Sequence, residues 1–189
     1  MRAGDRAGQG RIHRGLSLLW DRRGDPRRAL DHARRALDLY QISGHQHGQA
    51  HALNAIGWYH AVLGDHQQAL VACREALVLH QDLGNHDGEA ATWDSLGYTH
   101  HLLGEHAEAV TCYQHALTVS RDIGHRHYEA DTLVHLGDTH HAAGDGRAAR
   151  DAWQEAAAIL DDLRHPDAYA VRVKLDALDT IPGPAPGDG

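Results

Sequence analysis

The sequence predicts an all-α fold, a solenoid of helix-turn-helix repeats, and three observations carry that prediction. Sliding the chain against itself by forty residues superposes HALNAIGWYHAVLGDHQQALVACREALVLHQDLGN on AATWDSLGYTHHLLGEHAEAVTCYQHALTVSRDIGH and then on ADTLVHLGDTHHAAGDGRAARDAWQEAAAILDDLRH. Within one copy the apolar residues fall at helical spacing, Leu53, Ile56, Tyr59 or His60 and Leu63, and then Leu70, Cys73, Leu77 and Leu83. Small residues hold fixed places in every copy: Gly57, Gly97 and Gly137; Gly64, Gly104 and Gly144; Ala69, Ala109 and Ala149; Ala76, Ala116 and Ala156.

Taken in order, residues 1–9 read as a flexible segment, followed by a weaker first copy marked by Trp20, Gly24, Ala29, Ala36 and Leu37. Four repeats are expected, over 10–49, 50–89, 90–129 and 130–165. Each holds two helices. The break inside a copy is written in cap chemistry: Gly64, Gly104 and Gly144 suit the left-handed end of a helix, and Asp65, Glu105 and Asp145 stand at the start of the next. In the first copy Gly24-Asp25-Pro26 adds a proline fitted to a first helical turn. Gly44, Gly84 and Gly124 mark the turns between copies. Gly57 and its equivalents let the first helix approach its partner closely, and Ala69 and Ala76 accept the large side chains opposite. A pair of such helices cannot bury its apolar face alone, so neighbouring repeats must bury it. An amphipathic stretch over 166–179 reads as a capping helix, and IPGPAPGDG within 180–189 as a disordered tail.

Composition excludes several classes of function. The 189 residues are 42% hydrophobic, enough for a substantial core, and no apolar run approaches the ~20 residues of a membrane span. No secretion signal is recognisable and only Cys73 and Cys112 occur, so a cytoplasmic protein with reduced thiols is expected. The formal net charge of -8 hides an asymmetry, because residues 1–35 hold ten Arg against four Asp. The acidic remainder disfavours nucleic acid, whose backbone is held by several cations. There is no phosphate-cradling loop or dinucleotide fingerprint, and no serine sits in a nucleophile elbow. Neither catalysis nor a cofactor is expected. Of the nineteen histidines most recur at equivalent places, as His60, His100 and His140 do, and so spread along a solenoid instead of converging as metal ligands must. No metal site is assigned; a histidine-based metalloprotein stays as the least favoured alternative.

The ladder of Leu-Gly, an aromatic-like position, Gly, Ala, an aromatic and Ala resembles the tetratricopeptide repeat over about residues 10–165. The forty-residue period is similar to the arrays of kinesin light chains, of Pins-type adaptors and of actinobacterial regulators of the antibiotic regulatory and signal-transduction ATPase classes; the composition is most like the last. One departure is that His60, His100 and His140 stand where the family has Tyr. The resemblance implies a right-handed superhelix that binds proteins or peptides on a concave face lined by the first helix of each repeat. Carried over by position, that face holds His51, Asn54, Trp58 and Ala61, then Ala91, Asp94, Tyr98 and His101, then Asp131, Val134, Asp138 and His141. Its acids and aromatics suit an extended or helical segment with basic and apolar residues better than a terminal carboxylate. The expected function is a protein-binding module, and the resemblance implies the sensor of a larger bacterial regulator. The alternative is a self-associating repeat protein, a homodimer formed through Trp20 or the last helix.

Overall fold

A computed structural model describes residues 5–179. Among them run nine helices: α1 (Arg6–Arg22), α2 (Pro26–Ile42), α3 (Gln46–Val62), α4 (His66–Asp82), α5 (His86–Leu102), α6 (His106–Asp122), α7 (Arg126–Ala142), α8 (Gly146–Asp162) and α9 (Ala168–Asp179). The first eight have 17 residues each, about 25 Å of helix. They form four antiparallel pairs, and each odd-numbered helix from α3 onward also packs against the helix before it. The odd-numbered helices neighbour one another to form the inner layer, and α9 covers α8. No described helix is long and apolar enough to cross a membrane.

Two local devices set the ends of most of these helices. Gly24, Gly44, Gly64, Gly84, Gly104, Gly124 and Gly144 all take the left-handed conformation, with φ between 61° and 88°. At Gly64, for example, the Asp65 amide then donates to the His60 carbonyl, closing the end of α3. The other device is the N-cap: Asp25 accepts from the Arg28 amide, Asn85 from Gly88 and Asp145 from Ala148, whereas Asp65 and Glu105, expected as caps, make no side-chain cap bond because their carboxylates turn to His60 and His100. Asp5 caps through the Gly8 amide, so α1 begins at Arg6 and residues 6–9 are helical, where the sequence pattern suggested a flexible lead. The helical repeat unit accordingly starts about four residues before the boundaries read from the apolar pattern. The expected tail at 180–189 lies outside the described residues.

The small residues serve close approach. A side-chain carbon at Gly97 would lie 2.6 Å from the Tyr113 ring, and one at Gly137 would collide with Trp153. Trp153 is buried in the main core, while Trp93 is half-buried against Leu70, Cys73 and Leu77 and stacks on His115. Where the family has Tyr, His60 and His100 reach across the turn to the acids that open the next helix. His60 Nδ1 lies 3.2 Å from Asp65 and His100 Nδ1 2.6 Å from Glu105. The substitution therefore exchanges an aromatic packing contact for a polar clamp on the turn.

Candidate functional site

Because the odd-numbered helices line one face, positions forty residues apart come into register along it. Arg14, Asn54, Asp94 and Val134 form one such row, and Leu18, Trp58, Tyr98 and Asp138 the next. The face encloses a groove of about 810 Å3, bounded by α1 at one end and by α9 at the other. Trp58, Tyr128, Val134 and Val171 give it an apolar lining, and Asp21, Asp87, Asp94, Asp131 and Asp167 surround them. Arg14 and Lys174 stand at its two ends.

Of the positions expected on the concave face, His51, Asn54, Trp58, Ala91, Asp94, Asp131 and Val134 line this groove. His101, Asp138 and His141 line instead a smaller hollow of about 370 Å3 beside α9, with Trp153, Lys174 and Leu178. Lys174 bridges that hollow to Asp138, whose two carboxylate oxygens lie 2.5 and 2.7 Å from Nζ. The second Asp138 bond comes from the Trp153 indole, at 3.1 Å. Asp138 is thus held by the core and by the cap. Tyr98 stacks on Trp58 with ring centroids 4.7 Å apart and borders neither cavity. Ala61 is buried, not on the surface, because it packs within the inner layer.

The residue at the centre of the groove is one the repeat pattern concealed. His135 presents Nδ1 to both oxygens of Asp94, at 3.0 and 3.1 Å, and its ring lies near Trp58, Tyr98 and Tyr113. Burial alone would lower its pKa, but the charge and hydrogen bond of Asp94, reinforced by Asp131 and Asp138, push it up to about 9. His135 is therefore an imidazolium at neutral pH, already paired within the protein. Asp131 shows the opposite balance. Burial raises its carboxyl; His127 at 3.0 Å and His135 lower it, while Asp94 and Asp167 raise it again. The groove keeps a surplus of negative charge after its internal pairs are counted. Its sequence signal was a break in the register: position 135 is equivalent to Ala55 and Ser95, so this histidine does not repeat. Arg14, Asp87 and Tyr128 were missed for the same reason, since the weak first copy and the helix starts lay outside the signature ladder.

No His, Cys, Asp or Glu group among the described residues converges in a set able to hold a metal ion. Cys73 and Cys112 are buried and unpaired, and burial raises both thiols, to about 12 and about 11, well away from reactive thiolates.

A sequence model described as tetratricopeptide repeat matches residues 48–122 and 88–162. No curated protein matches the sequence. Among solved structures the chain is similar to a Rap protein complexed with competence and sporulation factor, at 15% identity with a TM-score of 0.82, over 90% of this chain and 48% of that one. It is similar to aspartyl phosphate phosphatase F from Bacillus subtilis, at 12% identity with a TM-score of 0.81, over 95% of this chain and 46% of that one. The BtubC (BKLC) protein of P. vanneervenii matches at 21% identity with a TM-score of 0.66, over all of this chain and 72% of that one. The chain spans about half the length of the first two. At these identities the likeness is one of fold.

Proposed function

The chain belongs to the tetratricopeptide repeat family, a family of protein-interaction scaffolds, and from that premise we propose that its concave groove binds a protein or peptide segment carrying basic and apolar residues. The observation that carries this reading is the groove itself: an apolar floor from α3, α7 and α9 ringed by Asp21, Asp87, Asp94, Asp131 and Asp167. Apolar side chains of a ligand gain by leaving water on that floor, and a lysine or arginine gains from the unbalanced carboxylates around it. A terminal carboxylate would meet repulsion there. We place the protein in the cytoplasm, in keeping with its two unpaired thiols. The resemblance in fold to a Rap protein complexed with competence and sporulation factor supports a role as the sensing part of a bacterial signalling or transcriptional regulator, binding and not catalysing.

The test is capture from a lysate of the source organism, comparing the native chain with an Asp87→Arg, Asp131→Arg variant shown by circular dichroism to be equally helical. Both side chains are at the surface, so the fold should tolerate the change. A client held by the native chain and weakened at least about tenfold by the double reversal, with binding that falls as salt rises, is the expected result. Equal capture by both proteins would remove the groove as the working surface.

A further inference from the structure

A second surface lies outside the groove, on the free side of α1. In every later repeat one face of the first helix is covered by the second helix of the repeat before it. Positions 12, 52, 92 and 132 are equivalent, and so are 19, 59, 99 and 139. Ala52, Thr92 and Thr132 are 1%, 0% and 3% exposed, whereas Ile12 is 47% exposed. Likewise Tyr59, Thr99 and Thr139 are 2%, 0% and 0% exposed, and Leu19 is 43% exposed. The inner face of α1 is satisfied in the usual way, with Ser17 donating to the Ala29 carbonyl and Gly10 against the Tyr40 ring. Trp20 lies beneath Arg23 and Arg28, with their guanidinium carbons 5.3 and 4.4 Å from its ring. Among the described residues, α1 therefore leaves Ile12 and Leu19 exposed with Leu16 half-buried between them, a strip with the geometry of a seat for a helix.

The rest of the array specifies what fits that seat. Gly48 takes the ring of Tyr40 from the preceding helix and Gly88 takes that of His80; at their equivalent, Gly8, the N-cap carboxylate of Asp5 fills that space, so the apolar part of the seat is centred on Ile12 and Leu19. The rim differs from the covered copies in charge. Where a helix is already seated, the positions equivalent to Arg11, Arg22 and Arg23 are His51, Val62 and Leu63, or Ala91, Leu102 and Leu103. On α1 all three are arginines at the surface.

We propose that this face docks an amphipathic α-helix of a partner protein, seated where a preceding repeat's second helix would lie, with apolar or aromatic residues on the strip and acidic residues opposite the three arginines. The docking is independent of the groove.

The experiment uses two fluorescent helical peptides of 17 residues, as long as the second helices here. They share one apolar face placed for Ile12 and Leu19, and differ in carrying Glu or Lys on the flanks. Anisotropy should show saturable binding of the Glu peptide, at least about tenfold tighter than the Lys peptide in dilute salt and weakening as salt rises. Arg11→Glu with Arg22→Glu should invert the preference, and Ile12→Glu with Leu19→Glu should abolish binding of both peptides. Asp87→Arg with Asp131→Arg, in the groove, should leave it unchanged, which separates failure here from failure of the groove. Absence of binding by the Glu peptide, equal binding of the two peptides, or binding that survives Ile12→Glu with Leu19→Glu would overturn the proposal. So would self-association of the native chain in sedimentation that the same two substitutions abolish, since the occupant would then be a second copy.

Discussion

Two histidines packed within the array, the buried His80 and the half-buried His135, titrate in opposite directions. His80 is fully buried at the end of α4, its Nδ1 3.0 Å from the Asn85 amide and its ring 4.8 Å from that of His51. Burial first, and then the nearby His51 and His47, push it down to about 4, with only Glu89 opposing. His135 is half-buried, with 27% of its side chain exposed in the groove, and Asp94 at 3.0 Å overrides burial and carries it to about 9. Burial sets a direction and one well-placed carboxylate reverses it. The sites differ in role accordingly. Position 80 is filler at a joint between repeats, occupied elsewhere by Tyr40, Ser120 and Leu160; position 135 is a charge in the lining of the groove.

The largest effect should come from the joint. His80 has a folded pKa below its unfolded value near 6.5, so its contribution to stability is present above 6.5 and is lost as pH falls toward 4, where the unfolded chain takes the proton first. A shift of this size corresponds to about 3 kcal/mol. His51, also lowered by burial and lying against His80, acts in the same sense. His80→Tyr places at this joint the residue that already packs over Gly48 in the preceding one. Urea unfolding at pH 7 and pH 4.5 should show most of that acid loss in the native chain and much less in the variant. An equal acid loss in both would assign the sensitivity elsewhere.

A smaller effect should follow from removing the carboxylate that distinguishes the second site. For His135 the sign is reversed: its folded pKa is raised, so its stabilisation is complete below 6.5 and is lost as pH rises through 9. In Asp94→Asn the burial is left unopposed by its main partner, and the imidazole should titrate below 6.5, followed by its ring-proton resonances. The native chain should lose about 2 kcal/mol between pH 7 and pH 9.5, and the variant should be flat over that window. A resonance near 6.5 in both proteins would break the contrast between the two histidines.

The same contrast explains what was legible in the sequence. The repeating small residues were readable: Gly64 and its equivalents at the turns, and Gly57, Gly97 and Gly137 at the close approaches; so was the row through Asn54 and Asp94. Repetition averages away chance and leaves packing. The centre of the groove was not readable, because His135 interrupts a row of small residues and its partner lies on another helix, 41 residues away. The division of the concave face was equally hidden. It depends on Lys174 from α9 reaching Asp138, a contact between the cap and the array that no periodicity records.

The smallest effect should fall on Asp131, where stability and binding pull apart. Its carboxyl is raised by burial and by Asp94 and Asp167, so at neutral pH ionisation works against the folded state, although His127 offsets part of that cost. The side chain is 40% exposed, and solvent screens the interaction to a few tenths of a kcal/mol. Asp131→Asn should therefore raise the urea midpoint slightly at pH 7, and not at pH 3, where the carboxyl is protonated in both states. If the groove takes a basic ligand, the same substitution should weaken binding severalfold, because it removes one of the charges the ligand answers. A residue that costs stability and supports binding is one kept for its surface. Loss of stability with unchanged binding would make Asp131 a structural partner of His127 instead.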